Sequence, residues 1–288
     1  MTTNEDISLD SSPRGGALVT GAGRGLGLEI ARRLVERGHL VHVTDLSAEL
    51  AARAAKELGP RAFASALDVR SFGACRAAAS RTVRRAGSLE VWVNNAGVLV
   101  TGPAWEQDER TRALMLEVNA SGTINGTLAA LEPMRARGGG HIVNVVSLAG
   151  LAPAPGEAVY SASKHAAIGF SLSTLADLRL AGVEGIDISC VCPDGIWTPM
   201  LYDKLEDPSA AVSFAGVLLR PEEVAVEVEG LLDNPQPVVA IPRRRGLVAR
   251  LLDLAPKLSL RYAHPVMARA RRRQRRYARR AKAGKLPR

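Results

Sequence analysis

At 288 residues the chain can hold one large domain and an appendage, and its 47% hydrophobic content is that of an ordinary globular protein. No run of 18 or more apolar residues occurs, so nothing reads as a membrane span. The net charge of +9 is unevenly held: residues 243–288 carry 17 Lys and Arg against one acid, Asp253, and the 242 residues before them sum to −7, so an acidic body is joined to a basic extension.

Residues 1–13 are polar, with neither the basic nor the apolar region of a secretory signal, and read as a disordered leader. Apolar runs of strand length follow at 16–20, 39–45, 61–69, 89–97, 140–147, 185–193 and 236–242. Several are apolar on both parities, as strands covered on both faces should be. Between them lie segments of helical period: "LGLEIARRLVERG", "SAELAARAAKELG", "FGACRAAASRTVRRAG", a long stretch from about Asp108 to Arg137, "AVYSASKHAAIGFSLSTLADLRLAG" and "PEEVAVEVEGLLDN". This alternation predicts an α/β fold over residues 14–242: one doubly wound, parallel, seven-stranded sheet with helices on both faces. Cys75, Cys190 and Cys192 are too few and poorly spaced for a zinc site and read as reduced core thiols, so no metal is expected. The sequons at Asn119 and Asn125 carry no weight without a secretion signal.

From Arg243 the pattern changes. "GLVARLLDLAPKLSL" is amphipathic but broken by Pro256, and "MARARRRQRRYARRAKAGK" is too charged to bury much. Residues 243–288 therefore have three readings. They can be a solvated, partly helical extension, or a peripheral contact with an anionic membrane made by an apolar face and an Arg cluster. Association with nucleic acid or another polyanion is the third, and the single Tyr between Arg271 and Arg280 does not signal base stacking.

The first predicted strand runs into "TGAGRGLG", Thr20 to Gly27, and a helical pattern starts at once. Gly21, Gly25 and Gly27 permit a tight turn, close approach of backbone to a pyrophosphate, and close packing of helix on strand. The helix N-terminus then offers free N–H groups and a positive dipole end to the phosphates. Asp45, ending the second strand, can accept hydrogen bonds from the ribose hydroxyls and would repel a 2′-phosphate, which favours NAD. Arg24, inside the loop, could pair with that phosphate and keeps NADP open.

"YSASK" puts Tyr160 one helical turn before Lys164. Alone this is an unremarkable surface spacing. Together with "TGAGRGLG", "NNAG" (94–97), "VNASG" (118–122), "VVSLAG" (145–150), "PDGIWT" (193–198) and "RPEEVA" (220–225), in this order, it resembles the short-chain dehydrogenase/reductase family across residues 14–242. The resemblance implies a single Rossmann-type catalytic domain that moves hydride between a nicotinamide cofactor and an alcohol or carbonyl carbon. It assigns catalysis to Asn119, Ser147, Tyr160 and Lys164. Tyr160 would be the general acid/base, and an ammonium one turn away should lower its pKa from about 10. Ser147 would hold the substrate oxygen. Lys164 would also bond the nicotinamide ribose, and Asn119 would steady a water that relays protons. Leu26 belongs to the cofactor loop, Asp68 and Val69 to adenine contacts, Asn94, Asn95, Ala96 and Gly97 to the fourth-strand turn, and Pro193, Ile196 and Thr198 to nicotinamide contacts. His165 should point about 100° away from Lys164 and reads as structural.

One departure stands out. The family has Pro-Gly after the sixth strand, and here Asp194 intervenes between Pro193 and Gly195. Its carboxylate could bind substrate, favour the cationic cofactor or simply form the turn. The apolar loop "LAGLAPAPGEA" and the lid residues Met200, Leu201, Tyr202, Val212 and Phe214 suggest a lipophilic secondary alcohol or ketone. The family habit implies a homodimer or homotetramer in the cytoplasm, unless residues 243–288 place it at a membrane. The alternative is a cofactor-binding regulator without chemistry, which the complete set of four argues against.

Overall fold

Ala17 and Val19 pack into one apolar layer and Leu18 into the other, because successive strand side chains point to opposite faces. In the computed structural model, which describes residues 14–284, seven strands repeat this arrangement. They are β1 (Arg14–Val19), β2 (His39–Asp45), β3 (Ala62–Ala66), β4 (Leu89–Asn94), β5 (Gly140–Val145), β6 (Ile186–Pro193) and β7 (Val238–Ile241). All pair in parallel, in the order β3-β2-β1-β4-β5-β6-β7. The expected doubly wound Rossmann-type sheet is the one found. The leader assigned to 1–13 lies outside the described residues, as do the last four residues of the extension.

The helices are α1 (Gly25–Glu36), α2 (Ala48–Leu58), α3 (Phe72–Ala86), α4 (Glu109–Leu116), α5 (Gly122–Arg137), α6 (Ala158–Leu180), α7 (Pro199–Tyr202), α8 (Pro221–Asp233), α9 (Arg243–Leu254) and α10 (Pro256–Lys282). Residues of α1, α2 and α8 close one face of the sheet, and residues of α3, α5 and α6 close the other. Ser47 and Ser71 cap α2 and α3 by accepting from the amides of Leu50 and Ala74. The sequence order reverses between β1 and β4, which opens a crevice at the carboxyl ends of those strands.

Two segments differ from their sequence reading. The helical stretch from Asp108 to Arg137 is interrupted by a π-helical turn, Glu117–Ser121, and the extra residue changes which side chains face inward. Asn119 is thereby fully buried. The Arg-rich segment, read as too charged to bury much, docks α10 along a narrow stripe of Ala270, Gln274 and Ala278, all buried. Four-residue spacing puts these on one face, and their small or polar side chains allow close approach to Pro208–Phe214, while the helix's arginines are exposed except for half-buried Arg273, which donates to the Ala215 carbonyl. Gln274 donates to the carbonyls of Lys204 and Asp207 (3.0 and 2.6 Å), and the Tyr277 ring sits 6.2 Å from Phe214.

Candidate active site

A cleft of about 1200 Å³ occupies the crevice, larger than the roughly 300–1,000 Å³ of a single drug-sized site. At one end lies the β1–α1 loop. Gly21 has φ +61°, and a Cβ there would sit 2.8 Å from the Cα of Ala96. A Cβ on Gly27 would meet the Gly21 carbonyl at 2.4 Å. The loop therefore packs backbone on backbone, which only glycine permits. No side chain caps α1, so the N–H groups of its first turn remain for a ligand at the cleft. This cradle fits the pyrophosphate of a dinucleotide.

Asp45 lines the same end and accepts from the amides of Gly23 and Ser47, both at 3.1 Å. Arg24 is exposed beside it. Asp68 is held by the Arg70 guanidinium at 2.6 Å, which keeps its carboxyl below the usual carboxylate range. Val69 nests against α5 at Gly122, where a Cβ would press to 2.6 Å. Asn95, Ala96 and Gly97 reach the cleft, and Asn95 donates to the carbonyls of Thr20 and Gly21. Asn94 does not reach it, contrary to expectation. Strand parity turns Asn94 toward α5, where it accepts from Trp92 and donates to Thr127 and Asn144 in a buried network.

The four residues expected to carry catalysis converge from different elements. Ser147 follows β5, and its hydroxyl oxygen accepts from the amide of Ala149. Tyr160 and Lys164 lie on α6 and face the cleft. Lys164 is buried; its Nζ donates to the Val145 carbonyl (3.0 Å) and lies 5.6 Å from the Tyr160 ring centroid. Asn119 stands behind them: its Oδ1 accepts from the Val98 amide, and its Nδ2 donates to the Val98 carbonyl and to Ser163. Burial brings Lys164 down to about 8. The expected lowering of Tyr160 is not what this environment does. Burial first, and the Glu157 carboxyl second, push the phenol above its usual value, and the Ser147 hydroxyl pulls it back only in part. His165 is exposed and bonds to the Ser161 carbonyl, pointing away from the cleft.

A family model described as short chain dehydrogenase matches residues 16–209, which include Ser147, Tyr160 and Lys164. The chain belongs to this family. It is accordingly an oxidoreductase. Cyclopentanol dehydrogenase of Comamonas testosteroni is 33% identical over 225 residues, covering 75% of this chain and 89% of the relative. The putative oxidoreductase SadH of Mycobacterium tuberculosis is 34% identical over 252 residues, covering 84% and 90%. A short chain dehydrogenase/reductase from Burkholderia phymatum, solved in complex with NAD, shares the fold with a TM-score of 0.77 at 24% identity, covering 86% of this chain and 96% of its own.

Within this short-chain dehydrogenase, Asp194 finds its partner in the extension. Its Oδ2 lies 2.5 Å from Nε of Arg245 on α9, its Oδ1 accepts from the Gly195 amide, and the Gly216 backbone covers it so closely that a Cβ there would meet Oδ2 at 1.7 Å. Pro193, Ile196 and Thr198 remain at the cleft wall. The inserted carboxylate thus latches the loop after β6 to α9. Of the lid residues, Met200, Leu201 and Val212 line the cleft. Tyr202 instead faces Trp197 at 5.6 Å, and Phe214 is fully buried beside Tyr277. Cys75, Cys190 and Cys192 are buried, free thiols.

Two groups of cleft residues escaped the sequence reading. One is the set Val248, Leu252, Leu260, Tyr262, Val266 and Met267, from α9 and α10. Their apolar period was visible, but not what it would face. The other is Glu157, buried one turn before Tyr160, whose carboxylate accepts from the Ser213 hydroxyl at 2.5 Å. Burial raises it to about 7, with Asp207 and Asp194 adding to the rise. A carboxyl raised from about 4.5 loses stability as pH climbs, because the unfolded chain ionises first and the folded chain follows only near pH 7. The loss is on the order of 3 kcal/mol and is complete above pH 7. Glu157→Gln should therefore stabilise the protein at pH 8 and change little at pH 4.5. Urea unfolding of both forms at the two pH values checks this, and an equal effect at both would refute it.

Proposed function

We propose that this short-chain dehydrogenase interconverts a lipophilic secondary alcohol and its ketone with NAD, Tyr160 serving as the general acid/base. The observation that carries this reading is the convergence of Ser147, Tyr160 and Lys164 on one cleft whose far end is a glycine cradle at an uncapped helix N-terminus. When bound, the nicotinamide supplies or accepts the hydride. Ser147 orients the substrate oxygen. Tyr160 takes that oxygen's proton during oxidation and returns it during reduction. Lys164, about 8 and buried, is still mostly charged at neutral pH and favours the phenolate at the moment it forms. Its position also allows the ribose contact the family resemblance implies. Asn119 ties Val98 to Ser163 and so steadies the wall behind Lys164; the proton relay through a water is the role the resemblance adds. Leu148, Ala152, Pro153, Met200 and Val212 make the substrate side apolar, which supports a lipophilic substrate. The family habit supports a homodimer or homotetramer.

A panel of cyclic and linear alcohols and ketones, read by nicotinamide absorbance with NAD and with NADP, tests this reading. Turnover confined to lipophilic secondary alcohols or ketones, with NAD preferred, is the expected result. Tight NAD(H) binding without turnover would support the regulator instead. In the same assay Asp45→Ala should lower kcat/KM for NAD roughly ten-fold or more and narrow the preference over NADP, since it removes ribose hydrogen bonds together with the charge that repels a 2′-phosphate. An unchanged NAD/NADP ratio would remove Asp45 from cofactor choice.

A further inference from the structure

Of the 18 large apolar side chains exposed among the described residues, eight fall between Leu247 and Val266, a concentration that isolated surface apolar residues do not produce. Their spacing is ordered. Leu247, Leu251 and Leu254 form one stripe on α9, and Leu258, Tyr262 and Val266 continue it on α10 at intervals of four. Leu254, at 81% exposure, marks the outermost point, near the junction of the two helices. The opposite face of α9 is occupied: Gly246 is buried so tightly that a Cβ would meet Ala240 at 2.1 Å, and Arg245 holds Asp194. The stripe is therefore the face the fold leaves outward.

The same two helices form the substrate-side wall of the cleft. Val248, Leu252, Leu260, Tyr262 and Val266 line it, and all but Leu252 are also exposed. The apolar wall thus runs without interruption from the cleft to the outer face. Exposed Arg243, Arg244, Arg250, Lys257 and Arg261 flank this face, with Asp253 the single acid of the extension, and the arginines of α10 follow.

We propose that the outer face of α9 and the first half of α10 docks on an anionic phospholipid bilayer, and that the cleft draws its substrate from that bilayer. An apolar stripe rimmed by Arg and Lys matches an interfacial helix, whose leucines enter the acyl boundary while the cations meet lipid phosphates. A second copy of the chain fits less well, because pairing this face with itself would bring two strongly basic extensions together. Nucleic acid would offer charge but no partner for the leucines, and Tyr277 is engaged with Phe214. Docking stands on the surface alone. Delivery of substrate from the bilayer rests on the dehydrogenase reading proposed above.

The test is flotation of the full-length protein with vesicles of phosphatidylglycerol and phosphatidylcholine, against phosphatidylcholine alone. Flotation should be roughly ten-fold greater with the anionic vesicles and fall as salt is raised. Leu251 and Leu254 do not line the cleft, so Leu251→Ser/Leu254→Ser should abolish most flotation and leave turnover of a water-soluble alcohol unchanged. The KM for a long-chain alcohol supplied in vesicles should rise at least several-fold in that variant. Absence of flotation with anionic vesicles overturns the proposal. So does flotation that survives both serines, which would be adsorption by charge alone. A double variant that only splits an oligomer, seen by light scattering without vesicle binding, assigns the face to a second copy and also overturns it. A protein that floats but turns over no alcohol leaves docking intact and sinks the dehydrogenase reading; one that turns over but does not float does the reverse.

Discussion

Tyr160→Phe should lower kcat by about 10²–10⁴-fold in both directions while NAD(H) affinity stays within a few-fold. The substitution keeps the aromatic ring of this α6 residue and removes only the oxygen that would carry the proton. General acid/base transfer contributes roughly that factor. The surroundings make the requirement stricter. Burial and Glu157 hold the phenol above its ordinary value, and the Ser147 hydroxyl opposes them only in part. Oxidation, which needs the phenolate, should accelerate with rising pH, and reduction, which needs the phenol, should slow. Steady-state absorbance assays give kcat, and cofactor titration by fluorescence gives the affinity. A variant retaining a tenth or more of native kcat would exclude Tyr160 as the proton carrier.

Arg245→Ala should destabilise the protein by about 2 kcal/mol at neutral pH, whereas Asp194→Asn/Arg245→Met should recover most of that loss. Removing one partner of a buried ion pair leaves a charge in low dielectric and costs about 3–5 kcal/mol when both groups are buried. Asp194 is 6% exposed but Arg245 is 38% exposed, so solvent should screen part of that cost. The double variant keeps similar volumes and removes both charges, and with them the cost of desolvating an unpaired ion. Denaturant unfolding of the native protein, Arg245→Ala, Asp194→Asn and the double variant checks this. If the double variant is as unstable as Arg245→Ala, the carboxylate is not what Arg245 satisfies. Because the pair joins the loop after β6 to α9, Arg245→Ala should also cleave faster within α9 and α10 under limited proteolysis.

Most of the short-chain dehydrogenase body was legible because its signals are local. "TGAGRGLG" needs its glycines for a turn that the chain makes within eight residues, and the strands announce themselves by being apolar on both parities. "YSASK" is legible for the same reason: one helical turn puts Tyr160 and Lys164 on one face. Asn94 and Asn95 show the limit of such reading. They are adjacent in sequence, and only the parity of β4 sends one into the core network and the other to the cleft. Asn119 shows it again, since a π turn, invisible in the residue pattern, decides that its amide faces Val98 and Ser163.

The succession of strands and helices, the glycine cradle, the Tyr–Lys pair and the charge division between body and extension can all be read from the residues alone. Each depends on residues close in the chain or on composition. The roles of α9 and α10 come instead from long-range packing. Their apolar period was plain, but an amphipathic helix can face a core, a cleft or a bilayer, and nothing local distinguishes these. Contacts separated by tens of residues make that choice: Asp194 with Arg245, Gln274 with Lys204 and Asp207, and Tyr277 with Phe214. They anchor the basic extension over the cleft, turning a segment that reads as an appendage into one wall of the site.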